Sequence, residues 1–164
     1  MNICLVIDID DTLYVHKSGA SRLGFMDYNN ILPNIGLSNE IKRIKLPKYI
    51  LTNATFGHAN EILNKMDLDE EFNKIYARNN MPISKPHKEC YERVQRDIIR
   101  DLNKQVDEYL FFDDLLENLE MGKNRNWITI WIHPLYQYKD KYNYIDYSFP
   151  DIYSALNYFN NNNI

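Results

Sequence analysis

Cysteine is scarce. Only Cys4 and Cys90 occur in 164 residues, far apart and with no CxxC pair. That excludes a disulfide scaffold and a thiolate zinc site, and it suits a reducing compartment. Positive charge is also in short supply. Nineteen Lys and Arg stand against 23 Asp and Glu, giving a net charge of −4 and a pI near 5.5. This argues against a broad nucleic-acid surface, although a local basic patch would survive the average. No apolar run approaches the roughly 18–20 residues of a membrane span, so no membrane partner is expected. The amino terminus, Met1-Asn2-Ile3-Cys4, has no basic n-region and no small-residue cleavage site, and it does not read as a signal peptide. The expected location is the cytoplasm, or the host's cytoplasm if the source is viral.

What is present suits one globular unit. Hydrophobic residues make up 45% and charged residues 26%, and the 13% aromatic content supplies more buriable surface than disordered segments carry. The length suits one domain over 1–164, with a low-complexity tail at 160–164 expected to fray. Asn supplies about one residue in eight, with abundant Ile, Lys and Tyr. AAT, ATA, AAA and TAT codons produce this bias, so it marks an AT-rich genome (a parasite, a protist or a large DNA virus) and carries no functional information.

The order of elements is legible from apolar runs. Ile3-Cys4-Leu5-Val6-Ile7 is unbroken and β-branched, the pattern of a strand buried on both faces. Similar runs occur at Tyr49–Leu51, Lys74–Ala77, Tyr109–Phe112 and Trp127–Ile132. Helical stretches lie between and after them, at Ser38–Ile44, Gly57–Met66, His87–Asn103, Leu115–Gly122 and Pro150–Phe159. This alternation predicts an α/β fold with a doubly wound, mainly parallel, Rossmann-like sheet. In such sheets ligands bind beyond the carboxyl ends of the strands. Asp8-Ile9-Asp10-Asp11-Thr12 follows the first run, Thr52-Asn53 the second, Lys85-Pro86 the third after a short loop, and Asp113-Asp114 the fourth. Acids, hydroxyls and a lysine therefore converge on one edge.

An acidic cluster of this kind is costly without a cation, because neighbouring carboxylates repel in a partly dry site. Oxygen ligands with no Cys or His nearby select Mg²⁺. Thr52 can donate to a phosphoryl oxygen and Lys85 can neutralise charge that develops there. An Asp carboxylate can itself be the nucleophile, forming an aspartyl-phosphate that water cleaves.

At this point the sequence resembles the haloacid dehalogenase (HAD) superfamily. Asp8-Ile9-Asp10-Asp11-Thr12 is similar to its motif I, DxDx[TV]; Thr52 to motif II; Lys85 in Ser84-Lys85-Pro86 to motif III; and Asp113-Asp114 with Asn118 to motif IV. The wording DIDDTLY, LTNAxxxHA and FFDD is most similar to the pyrimidine 5′-nucleotidase-like phosphatases. The resemblance implies a HAD core and a Mg²⁺-dependent phosphomonoester hydrolase. Asp8 would be the nucleophile and Asp10 the acid and base. Asp8, the Asp10 main-chain carbonyl and Asp114 would hold Mg²⁺. Thr52, Asn53 and Lys85 would bind the phosphoryl group, with Asp113 and Asn118 behind them. Leu115 departs from the pattern, standing where relatives usually carry a small hydroxyl residue.

The resemblance also implies a helical cap between Asp10 and Thr52, yet only about forty residues separate them, fewer than the roughly 50 of a small domain. Residues 15–46 are therefore expected to hold a reduced cap or flap, leaving the site open. The substrate is then a phosphorylated small molecule, a nucleotide among the candidates, or a phosphorylated macromolecule. A non-catalytic phosphate-binding module is the rival, and a homo-oligomer that lends a lid is compatible with an open site. A phospho-signalling receiver domain is rejected on order, since no strand between the first and Thr52 ends in Asp and Asp113 follows Lys85. His58 matches the HA dipeptide and is a candidate for contact with the phosphate region. His16, His87 and His133 are expected on loops or surface, with no ligand pair among the histidines. Tyr136–Tyr144 is read as a loop over the sheet edge, with a base-stacking surface as the alternative.

Overall fold

The first strand, β1 (Ile3–Ile7), runs through the middle of the molecule with Cys4 to Ile7 wholly buried. A computed structural model describes residues 1–16 and 28–162. Around β1 the chain builds β2 (Lys48–Leu51), β3 (Lys74–Tyr76), β4 (Glu108–Asp113), β5 (Ile128–Ile132) and β6 (Tyr147–Phe149). The sheet order is β3-β2-β1-β4-β5-β6, and every pairing is parallel. This is an α/β, Rossmann-like sheet, as the apolar runs predict. The sixth strand is the addition. Its three residues are each only partly buried, so they form no apolar run that periodicity could detect.

Alternation along the strands divides the core into two layers. Leu5, Ile7, Ile50, Leu110, Phe112 and Ile130 face one layer, covered by α1 (Ile35–Arg43), α2 (Phe56–Lys65) and α5 (Ile152–Asn161). Cys4, Val6, Tyr49, Leu51, Phe111 and Trp131 face the other, covered by α3 (Lys88–Leu102) and α4 (Leu116–Asn124). Right-handed crossovers require this arrangement. The chain steps outward from β1 to β3 with its helices on one face, then jumps back to β4 and steps outward the other way with helices on the opposite face. The order reverses between β1 and β4, which makes their carboxyl ends the crevice where ligands of such sheets bind.

Two local features fix the helices. Asn34, Thr55 and Asp151 cap α1, α2 and α5, each accepting an N–H of the first turn. α4 lies so close to the sheet that a Cβ on Gly122 would sit 2.8 Å from Cδ1 of Phe111, so this position demands glycine. α1 falls inside the 15–46 stretch expected to carry a reduced cap, and it buries Leu37 and Ile41 in the core layer. Residues 17–27 of that stretch lie outside the described residues. The tail expected to fray continues α5 through Asn161, and Asn160 donates to the Glu40 carboxylate at 2.7 Å. Tyr136–Lys141 forms a short 3-10 turn beside β6. Among the described residues no helix is long and apolar enough to cross a membrane.

Candidate active site

Asp8 leaves β1 with its N–H bonded to the Phe112 carbonyl of β4 at 3.0 Å, so parallel pairing sets it beside Asp113 at the reversal point. Asp11 then adopts a left-handed conformation (φ 57°), which Asp tolerates better than most residues. The turn closes through Tyr14 N–H to the Ile9 carbonyl and Asp11 N–H to the Tyr14 carbonyl. Asp10 is thereby carried to the rim, with its side chain 32% exposed.

Lys85 is the centre of the charge network. Its Nζ lies 2.6 Å from Asp113 Oδ2 and 3.0 Å from Asp8 Oδ1, with the side chain 1% exposed. Burial alone would lower its pKa, but the two carboxylates outweigh burial and hold the ammonium above its ordinary range. Asp113 is fully buried and further bonded by Asn118 Nδ2 at 3.0 Å and the Leu115 N–H at 2.9 Å. Asn53 works on the backbone of Lys85. Its amide donates to the Lys85 carbonyl and accepts the Lys85 N–H, both at 3.0 Å. The side chain expected to bind phosphate thus seats the lysine loop. The Thr52 hydroxyl accepts the Ala54 N–H at 3.1 Å, and its own O–H remains as a donor. Asp8, Asp10, Thr52, Asn53, Lys85, Asp114 and Asn118 line one cavity of about 220 Å³.

Carboxylate oxygens of Asp8, Asp113 and Asp114 lie within 4.8 Å of one another. Three carboxylates against one ammonium leave two negative charges. Burial and the Asp113 charge accordingly raise Asp8 well above the usual carboxylate range despite Lys85, and burial with Asp113 pushes Asp114 up to about 6. A hard divalent cation would cancel that excess. One further observation fits it. Asn118 Oδ1 is buried without a hydrogen-bond partner, in the wall of the cavity, where a water of a hydrated cation would satisfy it.

The histidines require a correction. His16 Nε2 and His58 Nε2 both contact Asp10 Oδ1, at 2.6 and 2.7 Å, so two residues expected to be scattered meet on one carboxylate. Tyr28 Oη is 2.7 Å from His58 Nδ1, extending the chain of contacts by one more side chain. Burial would raise Asp10, but the His58 and His16 hydrogen bonds outweigh it and hold the carboxyl below its usual range. His58 carried a sequence signal, the HA dipeptide. His16 and Tyr28 carried none, because a turn and a separate 3-10 segment bring them in. His133 stacks on Trp131 at 5.0 Å, beyond the Asp114 loop.

A family model described as haloacid dehalogenase-like hydrolase matches residues 36–124. The match takes in Thr52, Lys85, Asp113, Asp114 and Asn118, and begins beyond Asp8 and Asp10. No curated protein matches the chain. Among solved structures, a protein of Bacillus subtilis named as the HAD-hydrolase YfnB, bound to magnesium, is 15% identical with a TM-score of 0.70, covering 97% of this chain and 99% of that one. An L-2-haloacid dehalogenase from Xanthobacter autotrophicus is 14% identical, with a TM-score of 0.65 over 96% and 98% of the two chains. The core domain of a Streptococcus pneumoniae protein named as a phosphoglycolate phosphatase is 14% identical, with a TM-score of 0.62 over 97% and 96%. At these identities the likeness establishes a shared fold.

Proposed function

This chain belongs to the haloacid dehalogenase-like hydrolase family, and on that premise we propose that it hydrolyses phosphomonoesters in a Mg²⁺-dependent reaction through a phosphoryl group carried on Asp8. The observation that supports this most is Lys85 Nζ, held between Asp8 and Asp113 in the cavity that Thr52 and Asp114 share. A transferring phosphoryl group needs a nucleophile, a fixed cation and a hydroxyl donor on one side, and these residues supply them. Halide displacement at carbon is the competing chemistry of the family. It would bring no dianionic group into the cavity and would leave the acid cluster without a reason.

Asp8, the main-chain carbonyl of Asp10 and Asp114 would hold Mg²⁺, whose chemistry is to neutralise charge on the phosphoryl oxygens. The Asp8 carboxylate attacks phosphorus, while Lys85 and Thr52 bind two of its oxygens. As the bond from phosphorus to the leaving oxygen breaks, Asp10 gives that oxygen its proton. The resting carboxyl of Asp10 lies low, and the arriving negative phosphoryl group raises its proton affinity. In the second half Asp10 takes a proton from water as the water oxygen bonds to phosphorus. The bond to Asp8 then breaks, freeing inorganic phosphate and the Asp8 carboxylate.

A cavity of about 220 Å³ is smaller than the roughly 300–1,000 Å³ of pockets that enclose a whole ligand. It accommodates a phosphoryl group and leaves the rest of the substrate outside. This supports a reduced cap within 15–46 and weak discrimination among leaving groups, with nucleotides and phosphorylated nucleic-acid ends both in the substrate range. The test is inorganic phosphate release from an aryl phosphate, CMP, UMP and a phosphorylated oligonucleotide with Mg²⁺. Turnover by the wild type, lost by several orders of magnitude in Asp8→Asn, is the expected result. No release from any substrate would make the chain a phosphate-binding module. Asp8→Asn retaining more than about a tenth of the wild-type rate would refute the nucleophile.

A further inference from the structure

The contacts of Asp10 do more than hold a carboxylate. Two imidazole nitrogens aim at one oxygen, His16 Nε2 at 2.6 Å and His58 Nε2 at 2.7 Å. The rings lie almost parallel, 10° apart with centroids separated by 6.3 Å, and donor atoms of all three side chains fall within 4.8 Å of one another. Both imidazoles are largely buried, with side chains 10% and 19% exposed, while Asp10 remains 32% open to solvent. His58 is anchored from behind, where Tyr28 Oη meets its Nδ1 at 2.7 Å; a partner on the second ring nitrogen is what fixes a metal-binding histidine in tautomer and orientation. His16 is held through its backbone, whose N–H donates to the Asp11 carboxylate at 3.0 Å.

We propose that Asp10, His16 and His58 form a second metal site, specific for a borderline transition ion such as Zn²⁺, with solvent in the fourth position. Two imidazoles and a carboxylate are the donor set that prefers Zn²⁺ to Mg²⁺. With bonds of about 2.0–2.2 Å, tetrahedral donors stand roughly 3.3 Å apart. The nitrogens and the oxygen therefore need to separate by little more than half an ångström, a change that side-chain rotation supplies. The site shares Asp10 with the phosphatase centre but uses its carboxylate, whereas Mg²⁺ would take its main-chain carbonyl. Occupation removes the acid and base from the reaction, so Zn²⁺ inhibits. That consequence rests on the phosphatase reading; the binding does not.

The experiment is equilibrium Zn²⁺ binding, by calorimetry and chelator competition, to the full chain in saturating Mg²⁺, which fills the all-oxygen cluster. One Zn²⁺ per chain is expected. His16→Ala and His58→Ala, with His16→Gln and His58→Gln as replacements should either fail to fold, should each weaken it at least tenfold, and Tyr28→Phe by about tenfold. Co²⁺ should give the visible absorption of a tetrahedral imidazole-ligated ion, lost in the same variants. Phosphate release by the wild type should fall as the Zn²⁺ site fills. No stoichiometric Zn²⁺ binding in excess Mg²⁺, or binding unchanged by the histidine substitutions, would overturn the site. Binding without loss of turnover would overturn its inhibitory role. Zn²⁺ bound by a chain that releases no phosphate even in Mg²⁺ alone, before Zn²⁺ is added, would uphold the site and count against the phosphatase.

Discussion

Lys85→Met tests the charge network directly, because methionine keeps most of the side-chain volume and removes the cation. The wild-type ammonium is 1% exposed between Asp113, at 0%, and Asp8, at 10%. Breaking a buried pair from one side costs about 3–5 kcal/mol, since the remaining charge cannot recover its water. Asp113 would keep the Asn118 and Leu115 hydrogen bonds, so part of its compensation survives and most of the loss falls on Asp8. About 3 kcal/mol at neutral pH without divalent cation is the expected figure, or roughly 6–12 °C in melting temperature for a chain of this size. The pH dependence has a definite sign. Asp8 is already raised above its ordinary value, and removing Lys85 raises it further. A carboxyl whose folded pKa exceeds its unfolded value destabilises the fold at high pH, and the native state binds the extra proton as pH falls. The deficit of the variant should therefore shrink as pH falls below neutral, and added Mg²⁺ should shrink it as well. Asp8→Asn in the Lys85→Met background should recover about 1–2 kcal/mol, a coupling expected of contacting charges. Urea unfolding of the four proteins of the cycle measures this. Lys85→Met within about 1 kcal/mol of wild type at pH 7, with an unchanged denaturant slope, would refute the buried ion triad.

The two adjacent acids should separate by phenotype. Asp114→Ala should raise the Mg²⁺ requirement more than Asp113→Ala, whereas Asp113→Ala should lose more stability because it takes from the buried Lys85 the shorter of its two ion pairs; metal titration alongside thermal melting reads both, and the opposite ranking would shift the motif IV assignment by one residue. Gly122→Ala should destabilise by about 1–3 kcal/mol through overpacking against Phe111, in spite of the better helix propensity of alanine, as measured by urea midpoint. Steady-state kinetics should give kcat/KM values for CMP and UMP close to that for an aryl phosphate. High selectivity for one pyrimidine nucleotide in a monomeric preparation would show that the site is not open.

The core was legible because its signals are local. Ile3–Ile7 and Tyr109–Phe112 are apolar on both faces, which only a central parallel strand accommodates, and the polar residues that follow such strands must surface at the carboxyl edge. Asp8, Thr52, Lys85 and the Asp113-Asp114 pair could thus be placed together without coordinates. β6 could not, since three half-buried edge residues leave no pattern. The resemblance already set Asp114 above Asp113 as the metal ligand; the structure adds their surroundings, the first against Lys85 with no solvent and the second on the cavity wall. The histidines mark the boundary most sharply. His16, Tyr28 and His58 lie 6, 18 and 48 residues beyond Asp10, in a turn, a 3-10 segment and a helix. Strand and helix periods relate residues within one element and say nothing about side chains delivered by three. The meeting of His16 and His58 on one carboxylate, with Tyr28 behind His58, depends on the left-handed turn at Asp11, the Thr55 cap that starts α2 and the packing of α2 against the sheet, which are set by contacts distant in sequence.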